Sequence, residues 1–454
     1  VSAPAHISPS IKPVLPPLRI GDPVLAATLE LVYLRPFFES LPAEKRSAVD
    51  IGAHRGEVTG ELLAQGFRVI AVEPQGWLAD RLSQRFAAEI ESGQFVLERC
   101  AASDKQGTAI LHVGSASTIS SLEEDWTTVA FPEFFQSPTR VEVPLLPAGE
   151  LMRRHGMKHA SFAKIDVEGH ELPALRGLLA GAIAAEPPAA IMFEASHAFP
   201  EQAEACLKFL ASNGYTKFDL FIRWGVDPVA AERSLSAELP DAWRACEGRN
   251  FYANFVAYHA SASTIAENSD PIAFIRQYQM LKSIDLLRSL PVTPGVPNGR
   301  RATMASLRED ILSGDWTAFP QHKLSRHIAF SPAPAEQPGQ STAASRIVEV
   351  GAGFGQRALE AVRANPQLAY TIVDLPERLA VQHFHLTLSA PRMVVRVADR
   401  LNDRPTPGEV LLVPPGLASA ATFKNADVRP GQGWGDLPTD LLELAESAVV
   451  CGAD

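Results

Sequence analysis

The chain has 454 residues, 46% apolar and 20% charged, enough for two or three domains with sizeable cores. A net charge of −11 excludes a general nucleic-acid binder, which needs clustered Lys and Arg to neutralise phosphates. No run approaches the roughly eighteen consecutive apolar residues of a membrane-spanning helix. No signal peptide is legible after Val1, and Cys100, Cys206, Cys246 and Cys451 are scattered without metal spacing, so free thiols and a cytoplasmic location are expected.

Residues 1–46 read as a Pro-rich arm (Pro4, Pro9, Pro13, Pro16, Pro17, Pro23) and an edge helix over 24–38. In that helix Leu25, Leu29, Val32 and Leu34 recur at helical spacing, and Pro36 marks the expected end. Residues 49–74 then read as strand, tight turn, helix, strand and acid. Val49 and Ile51 run into the loop Gly52-Ala53-His54-Arg55-Gly56, Gly66 stops a helix, and 68–72 is a β-rich run ending in Glu73. A nucleotide-like ligand needs that order. Glycines let the backbone approach, the helix start offers free N–H groups, and an acid about twenty residues on can hold two ribose hydroxyls.

A helix over 76–91, a short strand over 95–97, an exposed strand over 108–113 and a Ser/Thr-rich loop over 115–121 follow. An extended stretch at 141–143 and a short helix at 148–155 lead to the strand Phe162-Ala163-Lys164-Ile165-Asp166-Val167, which runs into Glu168-Gly169-His170-Glu171. Helices are predicted over 172–179 and 202–213, and strands over 190–194, 218–222 and 254–258, the last two as an edge hairpin joined by an insertion with Trp224 and Trp243. This alternation predicts an α/β domain over 47–262, with a mostly parallel sheet and helices on both faces.

Residues 263–345 read as a helical segment (272–290 and 304–312) and a low-complexity linker at 331–345. The opening pattern then returns in 346–454: Glu349, the loop Gly351-Ala352-Gly353-Phe354-Gly355, and a strand over 370–373 ending in Asp374. Two Rossmann-like domains in tandem are therefore expected. Strands at 393–398 and 410–413 continue the second copy, and then the pattern thins. Either the sequence stops short of a full unit or the copy is degenerate.

Neither loop has the Gly-x-Gly-x-x-Gly spacing of a dinucleotide site, so an NAD-dependent oxidoreductase is the weaker alternative. An acid before the first glycine suits S-adenosylmethionine (SAM), whose sulfonium is cationic and which has no phosphate to neutralise. Residues 47–259 resemble the FkbM-type methyltransferase family. The resemblance is carried by Asp50-Ile51-Gly52-Ala53, Glu73-Pro74, Ala102-Ser103-Asp104-Lys105 with Gly107, and above all Lys164 through Glu171. It implies methyl transfer from SAM to oxygen, commonly a hydroxyl on a sugar, glycan or natural product. The second unit is similar to a group of sugar O-methyltransferases at 348–355, 370–376 and 379–382. It departs from them at 410–415, where the expected fourth strand ends without a polar group.

On this reading Glu73 accepts from the ribose, with Asp374 as its counterpart; Asp50, Gly52 and Gly56, and Glu349, Gly351 and Gly353, line the amino-acid end; Ser103 and Asp104 lie near the adenine. The blander alternatives are structural turns and solvated strand ends. Asp166, Glu168 and His170 form the catalytic constellation: methyl transfer to a hydroxyl is an in-line displacement that needs alignment and a proton acceptor. Two or three of these carboxylates could also hold Mg²⁺, although no metal-binding spacing is present. Glu168 and Glu171 could instead offset the dipole of the following helix. Lys164 is expected to pair with Glu194, and Glu194 and His197 face the site by position. The 115–121 loop is a candidate lid. Other readings are that only the first domain is catalytic, the second being a binding or dimerisation module, or that the whole is a non-enzymatic scaffold; a homo-oligomer is open.

Overall fold

The computed structural model describes residues 23–116, 119–130, 132–180, 186–224, 227–246 and 251–262, together with parts of 269–278 and of 346–430. The Pro-rich arm, the 304–312 helix, the 331–345 linker, Gly353 and most of the 272–290 helix lie outside the described residues. The chain divides into two compact units, one spanning Gly21–Phe274 and the other formed by Val1–Ile20 with Ile275–Asp454.

The first unit opens with α1 (Pro23–Ser40), β1 (Ser47–Ile51), α2 (Glu57–Ala64), β2 (Arg68–Val72), α3 (Gly76–Arg85), α4 (Ala87–Glu91) and β3 (Phe95–Glu98). A smaller motif follows: β4 (Ala101–Ala102), β5 (Gly107–Val113), β6 (Ser120–Ser121), α5 (Glu124–Val129), β7 (Thr139–Leu146) and α6 (Ala148–Arg154). The chain then returns to the main sheet with β8 (Phe162–Ile165), α7 (Glu171–Leu178), β9 (Ala190–Ser196), α8 (Pro200–Ser212), β10 (Tyr215–Trp224), β11 (Asp227–Ser234), α9 (Asp241–Arg244) and β12 (Tyr252–His259).

The main sheet has eight strands in the order β11-β10-β12-β9-β8-β1-β2-β3. Pairings from β3 through β9 are parallel, as expected for apolar runs such as β1, every residue of which is buried. The expectation of a mostly parallel sheet is corrected beyond β9, where β12, β10 and β11 are all antiparallel. The expected hairpin pairing of 218–222 with 254–258 is present, antiparallel from Phe218 opposite Ala257 to Ile222 opposite Ala253, but it does not lie at the edge of the sheet. β12 lies between β9 and β10, and the edge strand is β11, whose polar run, Glu232 to Ser234, hides its pairing from periodicity. Strands β4, β7, β5 and β6 form a separate four-stranded sheet over a small core of Ala101, Leu111, Val143 and Leu145.

Helix α1 continues through Pro36 to Ser40 instead of stopping there. An interior proline costs about 3 kcal/mol. The two rings that follow offset it: Phe37 and Phe38 are buried, Phe38 edge-on to Phe67 and Phe162, at roughly 1.5–3 kcal/mol for each such side chain. One buried ion pair, Glu30 with Arg223, and one hydrogen bond, from Tyr33 to Asp219, tie α1 to the far end of the sheet. Arg223 binds Glu30 through Nε at 2.8 Å and through Nη2, and Asp219 takes both Tyr33 Oη at 2.7 Å and Arg233 Nε at 2.7 Å.

In the second unit, β13 (Arg346–Val350), α10 (Gln356–Ala364), β14 (Ala369–Val373), β15 (Val394–Val397), β16 (Glu409–Val413) and β17 (Asp427–Pro430) are described. The strands form a parallel sheet in the order β15-β16-β14-β13-β17, around Ile347, Leu359, Tyr370, Ile372, Val410 and Leu412. The strand at 410–413 is thus not the counterpart of β8. It pairs with β14, and β17 takes the place beside β13 that β8 takes beside β1.

Candidate active site

From β1 the chain moves to β2 on one side, and β8 flanks β1 on the other. That reversal opens a crevice at the carboxyl ends of the strands, where open α/β sheets bind ligands. A cavity of about 540 Å³ lies there. Its lining runs from Gly52, His54, Glu73 and Ala102, past Lys164, Asp166 and Glu168, to Glu194, Tyr252 and Asn254.

The first loop is built by close approach. Gly52 has φ +79°, and a Cβ there would stand 1.9 Å from the Asp166 carbonyl oxygen, so only glycine lets β1 and β8 meet at this point. Gly56, also left-handed at φ +81°, caps α2 against Leu82 and Phe86. Glu73 lies at the end of β2, and its carboxylate accepts from His54 N–H at 2.9 Å and Gln75 N–H at 2.8 Å. Burial raises it to about 7, against the pull of those two donors.

Asp50 does not reach the cavity. It is fully buried in β1 and takes the Thr59 hydroxyl at 2.6 Å, and burial raises its pKa. Lys164 is the central cation. Its Nζ donates to the Gly52 carbonyl at 2.9 Å and lies 3.2 Å from Asp166 and 3.9 Å from Asp50. Burial alone would depress the ammonium; Asp166 and Asp50 outweigh it and raise it. The expected Lys164–Glu194 pair is therefore replaced by pairing with Asp166, its neighbour two residues along.

Glu168 stands at φ +54° in the β8–α7 loop. Its carboxylate accepts from Trp126 Nε1 at 3.1 Å and its carbonyl from Ser121 Oγ at 2.5 Å. Desolvation, then Asp166 and Glu171, hold it well above the usual carboxylate range. Glu171 folds back on its own loop, accepting from the N–H groups of Val167 at 3.2 Å and Gly169 at 3.0 Å, which is the helix-start role. His170 is engaged on both nitrogens: Nδ1 lies 2.5 Å from Glu123 Oε1 and Nε2 3.0 Å from Ser103 Oγ. It could act as a base only by giving up one of these partners. Ser103 and Asp104 follow β4 beside it and do not line the cavity; Ser103 is buried. His197 Nδ1 is bound to the Phe251 carbonyl at 2.7 Å.

The carboxylate oxygens of Asp166, Glu168 and Glu194 lie within 4.8 Å of one another, a spacing open to a cation. The Lys164 ammonium already stands among them, so the donor set does not call for Mg²⁺ as its counter-charge. A second cavity of about 360 Å³ adjoins on the other side of Glu194, lined by Glu123, Trp126, Gly169, Ser196, Phe199 and Gln202, with Trp126 stacked on Phe199 at 5.4 Å.

The sequence brought Gly52, Glu73, Asp166 and Glu168 to this cavity. It missed Trp126, Glu123, Tyr252 and Asn254. Tyr252 and Asn254 reach the site because β12 inserts beside β9, setting Asn254 opposite Glu194. The neighbourhood of Trp126 had one legible signal, Gly169, whose φ of +99° and contact with the Trp126 ring leave no room for a Cβ.

In the second unit the turn geometry repeats. Gly351 N–H donates to the Val373 carbonyl as Gly52 N–H does to that of Val72, and Gly355 at φ +77° caps α10. Asp374 is buried and accepts from Gln382 at 2.8 Å; Glu349 accepts from Tyr370 Oη at 2.9 Å. Among the described residues no helix is long and apolar enough to cross a membrane, and Cys100, Cys206 and Cys246 are free and buried.

Residues 50–217 match the family model described as the methyltransferase FkbM domain. No curated protein matches the chain. Among solved structures, the N-terminal domain of human METTL16 in complex with SAH is 10% identical, with 52% of this chain and 70% of that chain covered and a TM-score of 0.29. Precorrin-6y C5,15-methyltransferase from Geobacter metallireducens is 11% identical, with coverage of 51% and 88% and a TM-score of 0.24. A protein in the NADB-Rossmann superfamily from Streptococcus agalactiae is 11% identical, with coverage of 62% and 93% and a TM-score of 0.26. These likenesses are distant, and the assignment rests on the family match over residues 50–217: the protein is a methyltransferase.

Proposed function

We propose that the first unit transfers the methyl group of SAM to a hydroxyl of a sugar, glycan or natural product. The observation that carries this reading is one continuous cavity, from the Gly52 turn and Glu73 to the carboxylates of Asp166, Glu168 and Glu194. Its first end suits a nucleoside: the backbone is exposed by glycine, and a buried acid at the end of β2 would meet a ribose. Its second end suits a sulfonium and a hydroxyl, because carboxylates stabilise the cation and can take hydrogen bonds from the acceptor. Glu73 would hold the ribose, with Gly52 at the amino-acid end. Asp166, oriented by Lys164, and Glu168, oriented by Trp126, would flank the transferring methyl. His170 would brace Ser103 and Glu123 around the cofactor.

The second unit repeats the turn and the acid, and on that ground we read it as a second SAM-binding fold with Gly351 and Asp374 in the corresponding places. Titration calorimetry of the full chain with SAM and NAD, together with methyl transfer from labelled SAM to a saccharide panel, tests the reading. NAD binding without SAM binding would replace it with an oxidoreductase; SAM binding without transfer to any acceptor would leave a scaffold.

A further inference from the structure

The carboxylates around the cavity differ in what holds them. Asp50 takes the Thr59 hydroxyl, Glu73 two backbone N–H groups, Asp166 the Lys164 ammonium, Glu168 the Trp126 indole and Glu171 the N–H groups of its own loop. The carboxylate of Glu194, near the carboxyl end of β9, makes no hydrogen bond or ion pair among the described residues. Its side chain lines both cavities, the one that runs to Gly52 and Glu73 and the one walled by Trp126 and Phe199. A proton acceptor needs a free oxygen at the meeting point of cofactor and acceptor.

We propose that Glu194 is the catalytic base, taking the hydroxyl proton of an acceptor that enters from the Trp126–Phe199 side; the step rests on the O-methyl transfer proposed above. An acceptor oxygen forms the new O–CH₃ bond as the C–S bond breaks. The C–S electron pair stays on sulfur, which turns from a sulfonium into a neutral thioether. The hydroxyl proton passes to Glu194 and from there to solvent. One positive and one negative charge disappear together: the loss of the sulfonium, the nearest counter-charge apart from Lys164, raises the proton affinity of Glu194 in the same step. Lys164 on β8, Asp166, Glu168 and Glu171 after it and Tyr252 on β12 surround the group. Desolvation, then Asp166, Glu168 and Glu171, hold it well above the usual carboxylate range, with Lys164 opposing.

The test compares the full-length wild type with Glu194→Gln and Glu194→Asp. With labelled SAM and a panel of methyl glycosides, Glu194→Gln should lower kcat by about 10²-fold or more, keep SAM affinity within about threefold, and lose the acid limb of the wild-type pH profile; Glu194→Asp should recover part of the rate. A second readout needs no acceptor. Calorimetry near neutral pH in two buffers of different ionisation enthalpy should show that SAM, a cation, expels more protons than neutral S-adenosylhomocysteine on binding. Glu194→Gln should remove at least half of that difference. Wild-type turnover in Glu194→Gln, or an unchanged proton release, overturns the assignment while leaving the methyltransferase intact. A wild type that binds no SAM overturns both. If no glycoside is turned over, the proton release decides.

Discussion

Gly52 shows how a single residue joins the two halves of the site. Its positive φ and the Asp166 carbonyl 1.9 Å from a would-be Cβ are separate obstacles to any side chain. Left-handed backbone alone costs roughly 1–2 kcal/mol for an L-residue, and the clash adds to it. Gly52→Ala should therefore lose at least about 2 kcal/mol in urea unfolding and most of its SAM affinity; wild-type values for both would show that β1 and β8 can part without cost. Glu73 gives a pH signature. Below about 4.5 it is protonated in both folded and unfolded chains, and its contribution to stability is fully present. As pH rises toward about 7 the unfolded chain ionises while the buried acid keeps its proton, so stability is lost. At about 1.4 kcal/mol per unit the loss is on the order of 3 kcal/mol. Glu73→Gln should flatten the stability of the ligand-free protein over that window, and an unchanged slope would assign it elsewhere. Both residues were legible in the sequence because glycine turns and strand-end acids are local signals. The engagement of His170 was not, because Glu123 and Ser103 lie 47 and 67 residues away.

At the scale of elements, the segment around α5 is held over the β8–α7 loop by three ties: Ser121 to the Glu168 carbonyl, Trp126 to the Glu168 carboxylate, and Glu123 to His170. The sequence pointed to a lid at 115–121, but the anchoring residues lie at and beyond its end, in a stretch whose short helix has no long apolar period to announce it. His170→Ala cuts the third tie and leaves Glu194 in place. Hydrogen exchange of 119–130 should accelerate and KM for SAM should rise several-fold, while kcat falls less than in Glu194→Gln. Equal losses of kcat in the two variants would make His170 part of the proton path instead. The antiparallel end of the sheet was illegible for a different reason. Its order depends on which strand inserts beside β9, and that is decided by long-range contacts such as Glu30 with Arg223, 193 residues apart. Glu30→Ala leaves the buried Arg223 guanidinium without its carboxylate and should destabilise the first unit by about 3–5 kcal/mol. Replacing both residues by apolar ones, Glu30→Leu with Arg223→Met, should cost less than that single change.

On the scale of the whole chain, the decisive quantity is the number of cofactor sites. The turn at Gly351–Gly355 and the buried Asp374 repeat the geometry of Gly52–Gly56 and Glu73, yet the sheet order is not the same: β16 lies between β14 and β15, where the first unit sets β2 directly against β3. The strand beside β13 is β17, so any polar group corresponding to Asp166 would follow Pro430 instead of Val413. The absence of a polar residue after 413 therefore does not argue against a working second site, because that strand is on the wrong side of β13. If both units hold SAM, calorimetry of the full chain with S-adenosylhomocysteine should give two sites per chain. Glu73→Ala and Asp374→Ala should each reduce this to one, and the pair together to none. A stoichiometry of one that Asp374→Ala leaves untouched would show that the second unit keeps the turn as scaffold only. In that case the Gln382 side chain that donates to Asp374 fills the place a ribose hydroxyl would take. Gln382→Ala would then be expected to raise the stoichiometry or leave it at one, and never to lower it.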